Sequence, residues 1–320
     1  MIDQSDAEIK HVGKDYVDGW GRLTNGIECI VVKKVNEQIA KSEEFPFAST
    51  DWYGKDLRNI YQEQVDNGIR LGTILSKKLQ TRSESRDTIF NRQKTGKIDR
   101  RMISSLGFGN ENVFFTRDID FYNDANLHIS IDASGSMQGD KWEKTLTNVV
   151  ALCKAVDMIP NLQIQVSLRS CKGTKPYIAL VYDSRKDTFL KVRKLFPCLH
   201  VSGTTPEGLT FEAILDEMVR GNSNVDSYFL NISDGEPYFQ GRNFYYSGFE
   251  AAKHTKKMVN QINDMGIKVI SYFVSDTDGD GWSKKMFGMS YGKSANYIDV
   301  TSVNQVSKTM NKLFMEKKNS

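Results

Sequence analysis

The stretch ANLHISIDASGSM, residues 125–137, decides the fold. Residues 125–131 gather apolar and β-branched side chains as a buried strand does, and the chain then breaks at Asp132, Ser134, Gly135 and Ser136. Immediately downstream, Trp142, Leu146, Val149, Val150, Cys153 and Val156 recur at steps of three and four, which predicts a helix with one buried stripe. The same alternation continues along the chain. Further strands are expected at 162–169, 176–182, 226–233, 267–274 and 295–300, and further helices near 188–195, 207–219, 249–265 and 303–314. Strands alternating with helices predict an α/β, Rossmann-like fold, a mostly parallel central sheet with helices on both faces, over residues 119–320.

In such a sheet, ligands bind at the carboxyl ends of the strands, so the residues just after each strand carry the chemistry. Three of those loops supply oxygen donors. The first is Asp132-Ala-Ser134-Gly-Ser136, the second is GTTPEG with Thr204 and Thr205, and the third opens with Asp234-Gly235. Each piece alone is an ordinary turn or helix cap. Together, in order and in one α/β pattern, they form a set of two carboxylates and several hydroxyls with no thiolate or imidazole. That is a donor set for a hard cation, Mg²⁺, Mn²⁺ or Ca²⁺, rather than zinc or copper. Magnesium takes about six oxygens and keeps waters, so the set leaves room for an oxygen from a partner.

ISIDASGSM, SGTTPEG and LNISDGEP resemble the three loops of the metal-ion-dependent adhesion site of von Willebrand factor A domains. The resemblance implies that Ser134 and Ser136 bind the metal directly, a threonine directly or through water, and Asp132 and Asp234 mostly through water. The family pattern of Gly-Gly-Thr-Pro favours Thr205, while Thr204 stands at the second glycine position, so both threonines stay open here. Within the superfamily, residues 65–320 resemble the CobT-type subunit of cobaltochelatase and its phage-encoded relatives. Those proteins imply a MoxR-like or CobS-like AAA+ ATPase as partner. The long acidic stretch of full-length cobaltochelatase subunits is absent from this sequence.

The first 118 residues read as a smaller, mainly helical region. Weak helical stretches are expected at 30–40 and 55–64, and a better one at 67–83, NGIRLGTILSKKLQTRS. A basic segment follows: residues 77–101 hold nine Lys or Arg against the acids Glu84, Asp87 and Asp99. Lys77, Lys78, Arg82, Arg86, Arg100 and Arg101 are its candidates for contacts to phosphate or to an acidic partner. Few aromatics interleave with them, which speaks against a stacking platform for single strands.

The 320 residues carry a formal charge of only +3, with 39% hydrophobic and 26% charged residues. No stretch is long and apolar enough for a membrane span. The polar, acidic start does not resemble a secretory signal, and the four cysteines (29, 153, 171 and 198) show no metal or disulfide spacing. The expectation is a cytoplasmic protein, in host cytoplasm if viral. The run Asp276 to Gly281 imitates the start of an EF-hand loop, but its twelfth position is Phe287 rather than Glu, so a solvated loop is expected. His11, His128, His200 and His254 are scattered and read as structural, and no phosphate loop, nucleophile elbow or HExxH motif occurs. The expected function is therefore a metal-dependent protein-binding module, not an enzyme in itself. The alternatives are an accessory subunit of a metal chelatase and an RNA-binding scaffold.

Overall fold

The computed structural model describes residues 6–83, 86–120, 124–222, 224–275 and 281–299. The chain opens with an antiparallel pair, β1 (Ala7–Val12) and β2 (Ile27–Val32), followed by α1 (Glu37–Ala40) and α2 (Gln62–Ser83). Next come β3 (Arg86–Gln93), β4 (Lys97–Ile98), α3 (Ile103–Leu106) and β5 (Phe114–Asp120), with β5 between β3 and β4 in a small antiparallel sheet. The α/β part then runs β6 (Asp124–Asp132), α4 (Asp140–Asp157), β7 (Leu162–Lys172), β8 (Lys175–Asp183), α5 (Phe189–Leu195) and α6 (Glu207–Ile214). It continues with β9 (Val225–Ser233), the hairpin β10 (Phe239–Gln240) and β11 (Tyr245–Tyr246), α7 (Gly248–Asp264), β12 (Ile267–Ser275), α8 (Gly281–Tyr291) and β13 (Ala295–Asp299).

Eight strands form the central sheet in the order β1-β2-β8-β7-β6-β9-β12-β13. Only the pairs β1/β2 and β7/β8 are antiparallel; the other neighbours are parallel. This is a mixed α/β fold with a mainly parallel, Rossmann-like sheet flanked by helices. Strands β6, β8 and β9 are buried along most of their length, with β8 a nearly continuous apolar run and the buried polar residues His128, Ser130 and Asn231 interrupting the others. Leu127, Ile129 and Ile131 of β6 join the α4 stripe of Trp142, Leu146, Val149, Val150, Cys153 and Val156 in one core cluster. On the other face, Phe229 of β9 packs with Leu209 and Phe211 of α6 and with Val259 and Ile262 of α7. The chain places β7 on one side of β6 and β9 on the other, so the strand order reverses at β6, the place where sheets of this kind bind ligands at their carboxyl ends.

Several expectations for the N-terminal region are corrected. The helix expected at 30–40 is the strand β2 followed by the single turn α1, and β1 was not expected at all. Ile27, Ile30, Val31 and Val32 are β-branched, and Cys29, Val31 and Val32 are buried where β2 pairs with β8. Such side chains suit a pleated, packed surface better than a helix. Residues 55–61 are not helical either, because their backbone bonds go to loop partners: Lys55 N donates to Asp51 Oδ1, Arg58 N to Ser49 O and Tyr61 N to Pro197 O. The helix expected from 67 starts earlier, at Gln62. The basic segment is divided between α2, the strands β3 and β4 and the turn after β4. In the other part, the final helix expected at 303–314 lies outside the described residues, as do 276–280 of the EF-hand-like run. The end of that run opens α8, which sequence periodicity did not suggest.

Candidate metal centre

Asp132 is the last residue of β6, fully buried, and its carboxylate organises the loop that follows. Its Oδ1 accepts the Ser134 backbone N–H at 2.9 Å, the local turn expected of an Asp at a strand end. Its Oδ2 accepts Thr205 Oγ1 at 3.0 Å and Ser233 Oγ at 2.8 Å. Ser134 Oγ lies 3.0 Å from Ser136 Oγ, and Ser136 Oγ donates to Asp234 Oδ1 at 2.8 Å. One hydrogen-bonded cluster of oxygens thus joins all three loops. Backbone bonds stitch the loops as well: Ser202 N donates to Ala133 O at 2.7 Å and Gly135 N to Gly203 O at 3.0 Å.

Thr205, not Thr204, reaches Asp132. The Thr204 hydroxyl turns to Cys171 Sγ at 3.2 Å. Gly203 sets this direction, with φ at +76° and its back against Cys171 O and Ser170 Oγ, each 2.6 Å from where a Cβ would sit. Only glycine adopts that conformation in that space without strain. Beyond Thr205, Tyr238 N donates to Thr205 O at 2.9 Å and carries the β10–β11 hairpin alongside the centre.

Two participants were missed in the sequence. Ser233 precedes Asp234 in the SDG turn, and only its inward side-chain direction reveals its bond to Asp132. Lys141, in the first turn of α4, donates from Nζ to Asp234 Oδ2 at 2.7 Å and to Ser136 O at 3.3 Å. Burial and the neighbouring Asp132 push the Asp234 carboxyl above its ordinary range, against the opposing pull of Lys141 and Ser136.

Beneath the cluster, Arg169 and Glu207 form an ion pair of 2.7 Å with neither side chain exposed. Arg169 also donates to Ser130 Oγ at 3.1 Å, and Asn231 Nδ2 donates to Glu207 Oε1 at 3.2 Å. Burial raises the Glu207 carboxyl above its ordinary value, opposed by Arg169.

Among the described residues there is no group of three or more His, Cys, Asp or Glu side chains that could hold a metal. The Asp132 cluster is of another kind: two carboxylates with the hydroxyls of Ser134, Ser136 and Thr205, all oxygen. That chemistry fits a hard divalent cation, and an ammonium already sits on one of its carboxylates. The basic candidates lie elsewhere in the chain. Lys77 is exposed on α2, Arg100 and Arg101 are exposed in the turn after β4, and Lys78, Arg82 and Arg86 belong to α2 and the start of β3.

No protein-family model matches the chain, and no curated protein matches its sequence. Solved structures do resemble it. The pilus adhesin SpaC from Lactobacillus rhamnosus GG aligns with a TM-score of 0.46 and 11% identity, over 62% of this chain and 31% of that one. A von Willebrand factor type A protein from Catenulispora acidiphila aligns with a TM-score of 0.40 and 15% identity, over 64% and 45%. The PilB minor pilin from Streptococcus sanguinis gives 0.42 and 12%, over 63% and 66%. These likenesses concern the fold alone. The chain spans less than half the length of the first two proteins.

Proposed function

We propose that this chain is a protein-interaction module whose centre, formed by Asp132, Ser134, Ser136, Thr205 and Asp234, holds Mg²⁺ (or Mn²⁺ or Ca²⁺) and through it captures an acidic side chain of a partner. The observation that carries this reading is the convergence of the three hydroxyls and two carboxylates from three separate loops into one cluster above the sheet. A bound cation would supply a hard Lewis acid for a partner's Glu or Asp. The protein's own residues supply the rest: Asp132 orients Ser134 and Thr205, Ser233 fixes Asp132, and Ser136 at the surface faces the incoming ligand.

Burial raises the thiols of Cys29 and Cys153 far above their ordinary value and that of Cys198 to about 11, so none is a ready nucleophile. His128 is buried in β6 beside Ser167 and drops to about 3, again through burial. The partner that best suits the resemblance of residues 65–320 to CobT-type proteins is a MoxR-like or CobS-like AAA+ ATPase, in the cytoplasm. The ATPase would do the work and this chain would select its target.

The test is a pull-down with wild type and Asp132→Ala, with Mg²⁺ and with a chelator, after circular dichroism has shown both folded. The expected result is an AAA+ ATPase retained only by wild type and only with metal. Retention indifferent to both metal and substitution would overturn the reading.

A further inference from the structure

Lys141 stands where helix electrostatics disfavour it. It is the second residue of α4, and the amino end of a helix carries partial positive charge, so a cation there is unfavourable. The acids Asp140 and Glu143 occupy the same first turn, as expected at a helix start. What offsets the position of Lys141 is its partner. Its side chain is 13% exposed and that of Asp234 only 1%, so the 2.7 Å pair is shielded from water and from salt on the side of the carboxylate. The ammonium also reaches Ser136 O, and Ser136 Oγ donates to the other oxygen of the same carboxylate. Asp234 therefore has both oxygens engaged, one by a cation and one by a hydroxyl of the centre.

We propose that Lys141 is a resident counter-ion of the centre: it neutralises Asp234, holds the loops together without metal, and sets how tightly a divalent cation can bind. The inference rests on the metal-centre reading above. Two carboxylates against one ammonium leave a single net negative charge for the incoming cation, half of what the carboxylates alone would offer. Attraction between close charges in a shielded site is strong enough for that difference to change affinity by an order of magnitude or more. Once a divalent cation is in place, Lys141 leaves the centre with net positive charge, which suits an acidic ligand over a neutral one. Lys141 is thus a specificity-determining residue that trades metal affinity for attraction of a carboxylate.

The experiment is calorimetric titration of Mn²⁺ into the full chain, with thermal unfolding measured with and without Mn²⁺. The proteins are wild type, Asp132→Ala, Lys141→Gln, Lys141→Met and Lys141→Arg. Glutamine keeps a donor for Asp234 without charge, methionine removes both, and arginine keeps the charge. Lys141→Gln and Lys141→Met are expected to bind Mn²⁺ about tenfold or more tightly than wild type. Their unfolding temperatures should fall without Mn²⁺ and gain more from it than that of wild type, because the unpaired Asp234 is then satisfied by the metal. Lys141→Arg should stay within about threefold of wild type, since its charge is unchanged. Should Lys141→Gln fold only when Mn²⁺ is present, while Lys141→Arg folds without it, that dependence supports the counter-ion role equally. If wild type and Asp132→Ala bind Mn²⁺ alike or not at all, the metal-centre reading itself fails. If Asp132→Ala loses binding while the two neutral variants bind no tighter than wild type, or Lys141→Arg binds as tightly as they do, the role of Lys141 is overturned and the metal centre stands.

Discussion

Arg169 Nη2 donates to Glu207 Oε1 at 2.7 Å, and neither side chain has any exposure to solvent. Arg169 belongs to β7 and Glu207 opens α6 directly after the Thr205 loop, so the pair ties the sheet to the segment that delivers Thr205. The guanidinium also lies 5.2 Å over the Phe211 ring. Removing one partner of a buried pair leaves an uncompensated charge, which costs about 3–5 kcal/mol. Arg169→Met and Glu207→Leu are each expected to destabilise by that amount, and the double variant by less than the sum. Urea unfolding of the three variants measures this, and additive losses would show that the two groups do not act as a pair.

A second prediction concerns helix packing. Gly72 of α2 faces α4 so closely that a Cβ would lie 2.5 Å from Ala151 O and 2.6 Å from Lys154 Cβ. Alanine is the better helix former by about 1 kcal/mol, but overpacking a tight contact costs about 1–3 kcal/mol. Gly72→Ala, and likewise Gly68→Ala against Thr147 O and Val150, should therefore lower the urea midpoint. A rise would mean that the two helices separate more easily than their spacing implies.

The two adjacent threonines give a sharp contrast. Thr205→Val removes the hydroxyl bonded to Asp132 Oδ2, whereas Thr204→Val removes one bonded to Cys171. On the metal-centre reading, Thr205→Val should weaken Mn²⁺ binding roughly tenfold or more, and Thr204→Val by less than about twofold. Titration of both variants decides it, and equal losses would assign Thr204 a place in the centre.

Stability should depend on pH through the histidines. Burial in β6 keeps folded His128 neutral down to about 3, while the unfolded imidazole takes up a proton below its ordinary 6.5. Its folded value is depressed, so the contribution is fully present above pH 6.5 and is lost as pH falls toward 3. The loss amounts to about 1.4 kcal/mol per pH unit once well below 6.5. His200 is depressed by burial in the same direction and adds to the slope. Unfolding measured at pH 7, 6 and 5 should show the decline, and His128→Asn, although less stable at pH 7, should show a shallower one. An undiminished slope in that variant would mean that His128 is not its source.

Much of this molecule was legible in the residues themselves. The strands β6 to β9, β12 and β13 and the helices α4 and α7 announced themselves, because buried strands gather apolar and β-branched residues and a helix buried on one face shows a stripe. The candidate donor loops were legible only in combination, since each alone is an ordinary turn or cap and it is their order in one α/β pattern that marks them. Other features had no local signal. The sequence 27–32 suits a strand or a helix stripe until β8 offers it an edge to pair with, and the bond of Ser233 to Asp132 spans 101 positions. Lys141 resembles any lysine on a helix until Asp234, 93 positions away, is found beneath it. Thr204 and Thr205 are chemically identical, and only the left-handed turn at Gly203 decides which hydroxyl faces Asp132. Residue type and spacing therefore determined which chemistry this chain can offer. Tertiary structure alone decided which atoms meet, because side-chain direction in a loop is set by backbone torsions and by the distant segments that anchor them.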